Sequence, residues 1–383
     1  MATILLPGCL EIGDGSVTRL PAVLDRLGCR RPLVLSDPTL ARLGIAGRVV
    51  DLLAAAGIAA RLCTDTVAEP TAASLLPAIA AVRSGGHDAV VAVGGGSPID
   101  SAKAVAVLAR HGGTIRDYRA PRQVDLPGLP VVAIPTTAGT GSEVTRFTVI
   151  TDETCDEKLL CVGPAFLPAA AIVDAELTLG LPPRVTADTG LDALTHAVEA
   201  YVSGKANAFT DQLALAALGL IGSNLRRAYR DGGDRPARSA MMLGATLAGI
   251  SFSNASVALV HGLSRPIGAH FHVPHGLSNA MLLPAVTAFS LPAAAQRYAQ
   301  VALALGLTGA DQAALGQVLL GELEALNRDL AVPTLADFGV DRHRFLALAP
   351  QMADQALASG SPANNPRVPD RDQIIDLYRR LWS

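Results

Sequence analysis

The chain changes character at LPP, residues 181–183, and that change limits the folds open to it. Ahead of it, short apolar runs (PLVLS at 32–36, DAVVAV at 88–93, LPVVAI at 129–134) alternate with Ala- and Leu-rich stretches of helical spacing, such as 41–56 and 71–84. Such runs read as buried parallel strands, and their alternation with helices argues a doubly wound sheet. RFTVIT at 146–151 and AAIVD at 170–174 read as further strands, with a polar hairpin around 152–158. From about residue 184 the strand pattern ends. Helical patterns follow at 185–202, 208–229, 236–260, 276–289 and 293–305, with the loop SPANNPR at 361–367 before a last helix at 370–382. The spacing predicts an α/β domain over 1–182 and an all-α domain over 183–383.

At 383 residues the chain is long for one core, which agrees with that division. Its 31 basic and 34 acidic residues leave a net charge of −3, and no basic stripe points to nucleic acid. Cys9, Cys29, Cys63, Cys155 and Cys161 form no CxxC and suit free thiols in a reducing compartment. Cys155 and Cys161 lie near one another and could touch a cofactor edge, but ordinary buried or surface thiols explain them better. The start, MATILLPGCLEIGDG, lacks a basic region followed by a long apolar one, so a signal peptide is not expected and a cytoplasmic location is. Residues 239–260 carry no charge and are long enough to span a bilayer, but their serines, Asn254 and Thr246 suit a buried helix better. No membrane partner is expected.

Three segments of the first half have the makings of a dinucleotide site. VGGGSPIDSAK at 93–103 joins a strand to a helix, with Ser97 as N-cap, Pro98 at the first helical position and Asp100 three residues after the cap. Its glycines and open amides suit a pyrophosphate, and a plain capped turn is the alternative. PTTAGTGSEVT at 135–145 offers small hydroxyls after another buried strand. Asp37 ends a strand where a carboxylate can bind ribose hydroxyls and disfavour a 2′-phosphate, which would select NAD; Ser-Asp-Pro is also a good helix start.

In the second half, Asp192 and His196 sit four apart and share a helix face, and two His-Gly steps follow at His261 and His275. One carboxylate and three imidazoles suit divalent iron or zinc with room for a substrate oxygen. An Asp-x3-His pair alone is more often a surface pair, and the nucleotide signals ahead of it shift the balance.

Together, GGGSPIDSAKA at 94–104, PTTAGTGSEVT at 135–145, GLDALTHAVEAY at 190–201 and HGLSRPIGAHFHVPHG at 261–276 resemble the iron-containing (group III) alcohol dehydrogenase family over almost the whole chain. The resemblance implies a Rossmann-like N-terminal nucleotide-binding domain, a C-terminal all-α domain (the dehydroquinate synthase-like arrangement), and an active site in the cleft between them. It implies Asp192, His196, His261 and His275 as ligands of Fe²⁺, with Zn²⁺ as the alternative. Cofactor contacts to NAD fall on Asp37, Gly95, Gly96, Ser97, Asp100, Thr136, Thr137, Thr140, Thr145 and Lys158. A homodimer is also implied.

One departure stands out. Members commonly place a second histidine four residues after the third ligand, and here that position is Arg265. A guanidinium is a poor proton donor but a good bidentate partner for an anion. Arg265 is therefore expected to bind a substrate carboxylate or phosphonate, or else to serve as an ordinary ion-pair partner. Proton delivery then falls to water, the ribose hydroxyls or another side chain; His270 and His272 are the nearby candidates, against the ordinary reading of each as a packed or surface histidine. The expected reaction is NAD-linked interconversion of an alcohol and its aldehyde or ketone at a metal-polarised carbonyl. The rivals are a maleylacetate-reductase-like, metal-independent reduction of a keto acid, and a catalytically inactive nucleotide- or metal-binding protein.

Overall fold

The computed structural model describes residues 2–154 and 157–382, so Cys155 and the tip of the hairpin expected at 152–158 lie outside the described residues. Two compact units make up the chain, one over Thr3–Gly180 and one that starts at Leu181. They meet in sequence two residues before the expected 182/183 boundary.

The first unit holds β1 (Cys9–Ile12), β2 (Pro32–Leu35), β3 (Arg61–Cys63), β4 (Ala89–Gly94), β5 (Val131–Pro135), β6 (Phe147–Asp152), β7 (Glu157–Val162) and β8 (Ala170–Val173). Its helices are α1 (Leu20–Arg26), α2 (Pro38–Arg42), α3 (Ile45–Ala55), α4 (Leu76–Gly85) and α5 (Gly96–His111). Six strands form one parallel sheet in the order β1-β8-β5-β4-β2-β3, and β6 and β7 pair as an antiparallel hairpin. Every residue of β2, β4, β5 and β8 is buried, as a parallel sheet covered on both faces requires. The pleat sorts them: Val90 and Ala92 pack with α4 and α5 on one face, while Ala89, Val91 and Val93 pack with α1 and α3 on the other.

Chain direction reverses between β2 and β4. From β2 the chain runs outward to β3, then returns to β4 and continues to β5. The carboxyl ends of β2 and β4 therefore flank a topological switch point, the place where open α/β sheets bind ligands. Asp37 follows β2 there, and the glycine run follows β4.

The second unit is helical, with α6 (Pro183–Val202), α7 (Ala208–Arg230), α8 (Arg235–Ala255), α9 (Leu259–Phe271), α10 (His275–Ser290), α11 (Ala295–Ala304), α12 (Gln312–Asp329), α13 (Arg342–Ala358) and α14 (Arg371–Arg380). Among the described residues it has no strand. The charge-free stretch 239–260 is not the single helix the sequence pattern predicts: α8 ends at Ala255, Ser256 takes φ 68°, and α9 leaves at 102° to α8. The break is held by side chains. Asn364 Nδ2 donates to Ser256 Oγ (3.1 Å) and Val257 O (3.0 Å), and the Glu199 carboxylate accepts from Ala258 N (2.9 Å) and Val260 N (2.5 Å). Glu199 thus caps the start of α9 and fixes where that helix begins.

Candidate metal centre and cofactor loops

Three helices of the second unit deliver four side chains to one point: Asp192 and His196 from α6, His261 from α9 and His275 from α10. One donor atom from each lies within 4.8 Å of all the others. Asp192 Oδ1 is 3.8 Å from His196 Nε2, 3.6 Å from His261 Nε2 and 3.7 Å from His275 Nε2. Asp192, His196 and His261 are buried, whereas the His275 side chain is 42% exposed and leaves one side open. Close packing makes this convergence possible. A Cβ on Gly276 would stand 2.3 Å from Asp188 O and 3.2 Å from Asp192 Cβ, so only glycine lets α10 approach α6 this closely.

Two residues not anticipated from sequence complete the cluster. Glu199 accepts from His261 Nδ1 at 2.7 Å, which orients the ring with Nε2 toward Asp192. Asn279, 0% exposed, brings Nδ2 to 2.7 Å from Asp192 Oδ1, 3.2 Å from His261 Nε2 and 3.3 Å from His275 Nε2. Helical periodicity carried a signal for both. Glu199 lies two turns beyond Asp192 on α6, and Asn279 one turn beyond His275 on α10, each on the face of its ligand. Phe252 stacks on His196 with centroids 4.1 Å apart.

The electrostatics draw positive charge inward. Burial alone would raise the Asp192 carboxyl, but the His196, His275 and His261 rings outweigh it and hold it well below the usual carboxylate range. Burial disfavours a charged His261, yet Asp192 and Glu199 pull its pKa above the ordinary value. A carboxylate, three imidazoles and a second carboxylate behind one ring form a donor set that fits divalent iron or zinc.

Arg265 lies one turn past His261 on α9 and donates from Nη1 to Ser361 Oγ at 3.0 Å. It forms no ion pair among the described residues; burial lowers its pKa, and the Glu199 charge offsets part of that. His270 does not join the cluster. It falls half a turn out of phase with His261 on α9, and its Nε2 lies 2.9 Å from Gln355 Oε1. His272 is exposed at the left-handed C-cap of α9.

The cofactor candidates divide into two groups. Gly95, Gly96, Thr136, Thr137 and Thr140 come together where β4 and β5 end side by side. Thr136 N donates to Gly94 O (3.0 Å). A Cβ on Gly95 would meet Thr137 Oγ1 at 3.3 Å, and one on Gly96 would meet Thr140 Cγ2 at 2.9 Å. The N-cap of α5 is Gly95, not Ser97, and no side chain caps it; the Ser97 hydroxyl donates to Ala68 O instead. A helix start left without a side-chain cap, in a bed made of glycine and threonine, fits a diphosphate.

The other candidates are already engaged. Asp100 Oδ1 accepts from Ser142 Oγ (2.5 Å) and Oδ2 from Val149 N (2.9 Å). Thr145 Oγ1 accepts from Lys103 Nζ (3.1 Å). Burial is what the sequence pattern hid here, since Lys103 is 0% exposed and organises this network beneath the loops. Lys158 pairs with Glu69 at 3.1 Å. Asp37 is the N-cap of α2, its Oδ1 accepting from Thr39 N (2.8 Å) and Leu40 N (2.9 Å), so the helix-start reading holds and Oδ2 alone is left outside the cap. Cys161 is 0% exposed, with a thiol pushed by burial to about 12, and behaves as core.

Comparison with known proteins agrees with this geometry. Residues 7–175 match the family described as Iron-containing alcohol dehydrogenase, and residues 186–382 match Fe-containing alcohol dehydrogenase family, C-terminal. The chain is 41% identical to long-chain-alcohol dehydrogenase 1 of Geobacillus thermodenitrificans over 364 residues, 93% of this chain and 91% of the other. A 1,3-propanediol oxidoreductase structure superposes with TM-score 0.96 at 34% identity, covering 100% of both chains. A sulfoacetaldehyde reductase from Bifidobacterium kashiwanohense, solved with NAD+, gives TM-score 0.89 at 26% identity over 100% of this chain and 99% of the other.

Proposed function

The chain belongs to the iron-containing alcohol dehydrogenase family, and from that premise we propose that it is an NAD-linked oxidoreductase interconverting a small alcohol with its aldehyde or ketone. The observation that carries this reading is the convergence of Asp192, His196, His261 and His275 within 4.8 Å. When bound, NAD supplies the hydride donor or acceptor, and divalent iron or zinc supplies a Lewis acid for the carbonyl oxygen. The net change is alcohol plus NAD+ to carbonyl, NADH and a proton.

The protein's own residues set the conditions. Asp192 stays ionised in a buried place because three imidazoles surround it. Glu199 fixes the His261 ring, and Phe252 covers one face of His196. The uncapped start of α5 and its threonine neighbours receive the diphosphate of the cofactor. Neither Arg265, always charged, nor His270, on the far side of α9, serves as proton donor. The proton exchanges with solvent on the open side at His275.

Arg265 points to an anionic substrate. A partly buried guanidinium one turn from a ligand, with a single serine as partner, has donors left for a carboxylate, sulfonate or phosphonate. The sulfoacetaldehyde reductase of the same fold acts on such an aldehyde by name. The four free thiols among the described residues suit a reducing, cytoplasmic setting, and the homodimer of the family resemblance belongs to the same reading.

The test is NADH oxidation by metal-stripped protein, with and without Fe²⁺ or Zn²⁺, on paired neutral and anionic aldehydes and keto acids. We expect turnover only with metal, and a preference for the anionic set that Arg265→Ala reduces about 10- to 100-fold in kcat/KM. Equal loss on neutral and anionic partners would remove the anion role. Metal-free turnover on keto acids would favour the maleylacetate-reductase-like alternative.

A further inference from the structure

We propose that Asn279 is a positioning residue of the metal centre: its amide nitrogen holds Asp192 and the His261 and His275 rings in ligand arrangement before a cation binds, and keeps Asp192 afterwards. The inference rests on reading Asp192, His196, His261 and His275 as ligands.

Asn279 stands within hydrogen-bond distance of three of the four ligand atoms, at 2.7, 3.2 and 3.3 Å. An amide nitrogen has two hydrogens, so three neighbours cannot all be served at once. The charged Asp192 oxygen, nearest of the three, keeps one hydrogen. The other is shared between the two rings, the pair of contacts a cation would replace when it takes their Nε2 lone pairs.

The opposite end of the side chain strengthens the case. Asn279 Oδ1 has no hydrogen-bond partner, although the residue is 0% exposed. An asparagine kept for core structure alone would have both ends bonded, because a buried orphan carbonyl is costly. Turning the amide over does not relieve it: that would set an oxygen 2.7 Å from the Asp192 carboxylate, acceptor against acceptor. The orientation is therefore dictated by the ligands, at the expense of Oδ1.

Two variants of the full chain test this, Asn279→Ala and the near-isosteric Asn279→Asp. Metal-stripped protein is titrated with Co²⁺ against a chelator, the visible bands are recorded, and Tm is measured with and without Zn²⁺. For Asn279→Ala we expect about 10- to 100-fold weaker Co²⁺ binding. For Asn279→Asp we expect a lower Tm without metal, from carboxylate facing carboxylate, a larger Tm gain on adding Zn²⁺, and altered Co²⁺ bands. Wild-type binding and bands in both variants would overturn the proposal. Should Asn279→Ala fail to fold, unchanged bands and an unchanged Zn²⁺ gain in Asn279→Asp would overturn it alone. A wild-type chain that binds no Co²⁺ would instead overturn the metal reading, and this inference with it.

Discussion

Glu199 shows how much can depend on one side chain that is not itself a ligand. Its two oxygens accept from Ala258 N, Val260 N and His261 Nδ1 within 2.9 Å, so helix start and ligand orientation share one carboxylate. Glutamine at this position has an oxygen for only one side. In either orientation its NH2 faces a backbone or ring N–H, donor against donor, in a buried place. Glu199→Gln is therefore expected to cost about 1–3 kcal/mol of stability and to weaken metal binding about 10- to 100-fold. Denaturant unfolding and chelator competition check the two effects separately. A variant that retained metal like wild type would show that ring orientation does not depend on the carboxylate. That Asp192, His196, His261 and His275 belong together was legible in sequence because imidazole and carboxylate announce their chemistry at helical spacing. Glu199 and Asn279 share the faces of those residues by helical spacing, but an ordinary glutamate and asparagine on helices read as surface until their burial is known.

At the level of elements, each ligand helix repeats one device: a functional partner within two turns on the same face. On α6 it is Glu199, on α9 Arg265 and on α10 Asn279. The strands β2, β4, β5 and β8 were legible because a parallel strand buried on both faces must be a continuous apolar run. The α8–α9 break was not, since the stretch has no proline or charge to mark it and the turn is held by the distant Asn364 and Glu199. Ser97 is not the cap of α5 for a related reason: Gly95 caps it with backbone alone, which has no side-chain signature. Close approach of elements supplies the test. Gly96→Ala places a Cβ 2.9 Å from Thr140 Cγ2 and forces the two loops of the first unit apart, whereas Gly276→Ala drives a Cβ to 2.3 Å from Asp188 O between α10 and α6. The first is expected to weaken NADH binding about tenfold, roughly 1.4 kcal/mol, with metal content kept. The second is expected to lose metal and about 1–3 kcal/mol of stability by overpacking. NADH fluorescence titration and metal analysis of both variants decide it; loss of metal in Gly96→Ala or retention in Gly276→Ala would contradict the assignment.

Stability belongs to the molecule as a whole, and Lys103 ties it to pH. The side chain is 0% exposed, and its Nζ donates to Ser142 Oγ (2.9 Å), Thr145 Oγ1 (3.1 Å) and Phe147 O (2.8 Å), with Asp100 Oδ1 at 3.9 Å. Burial lowers its pKa from 10.5 to about 8, against the opposing pull of Asp100 and Glu143. The folded chain therefore releases this proton near pH 8, while the unfolded chain keeps it until 10.5. Between those values the unfolded state binds more protons, so the Lys103 contribution makes stability rise with pH across that window, by up to about 1.4 kcal/mol per pH unit. Other groups titrate in the same range, so the quantity to measure is the difference between wild type and Lys103→Met. The variant lacks the titrating group, and Asp100 keeps its bonds from Ser142 and Val149. Denaturant unfolding at pH 7.5 and at pH 10 is expected to show wild type gaining relative to the variant as pH rises. A constant difference would mean that Lys103 keeps its charge throughout, and that its three oxygen partners and Asp100 compensate fully for removing it from water.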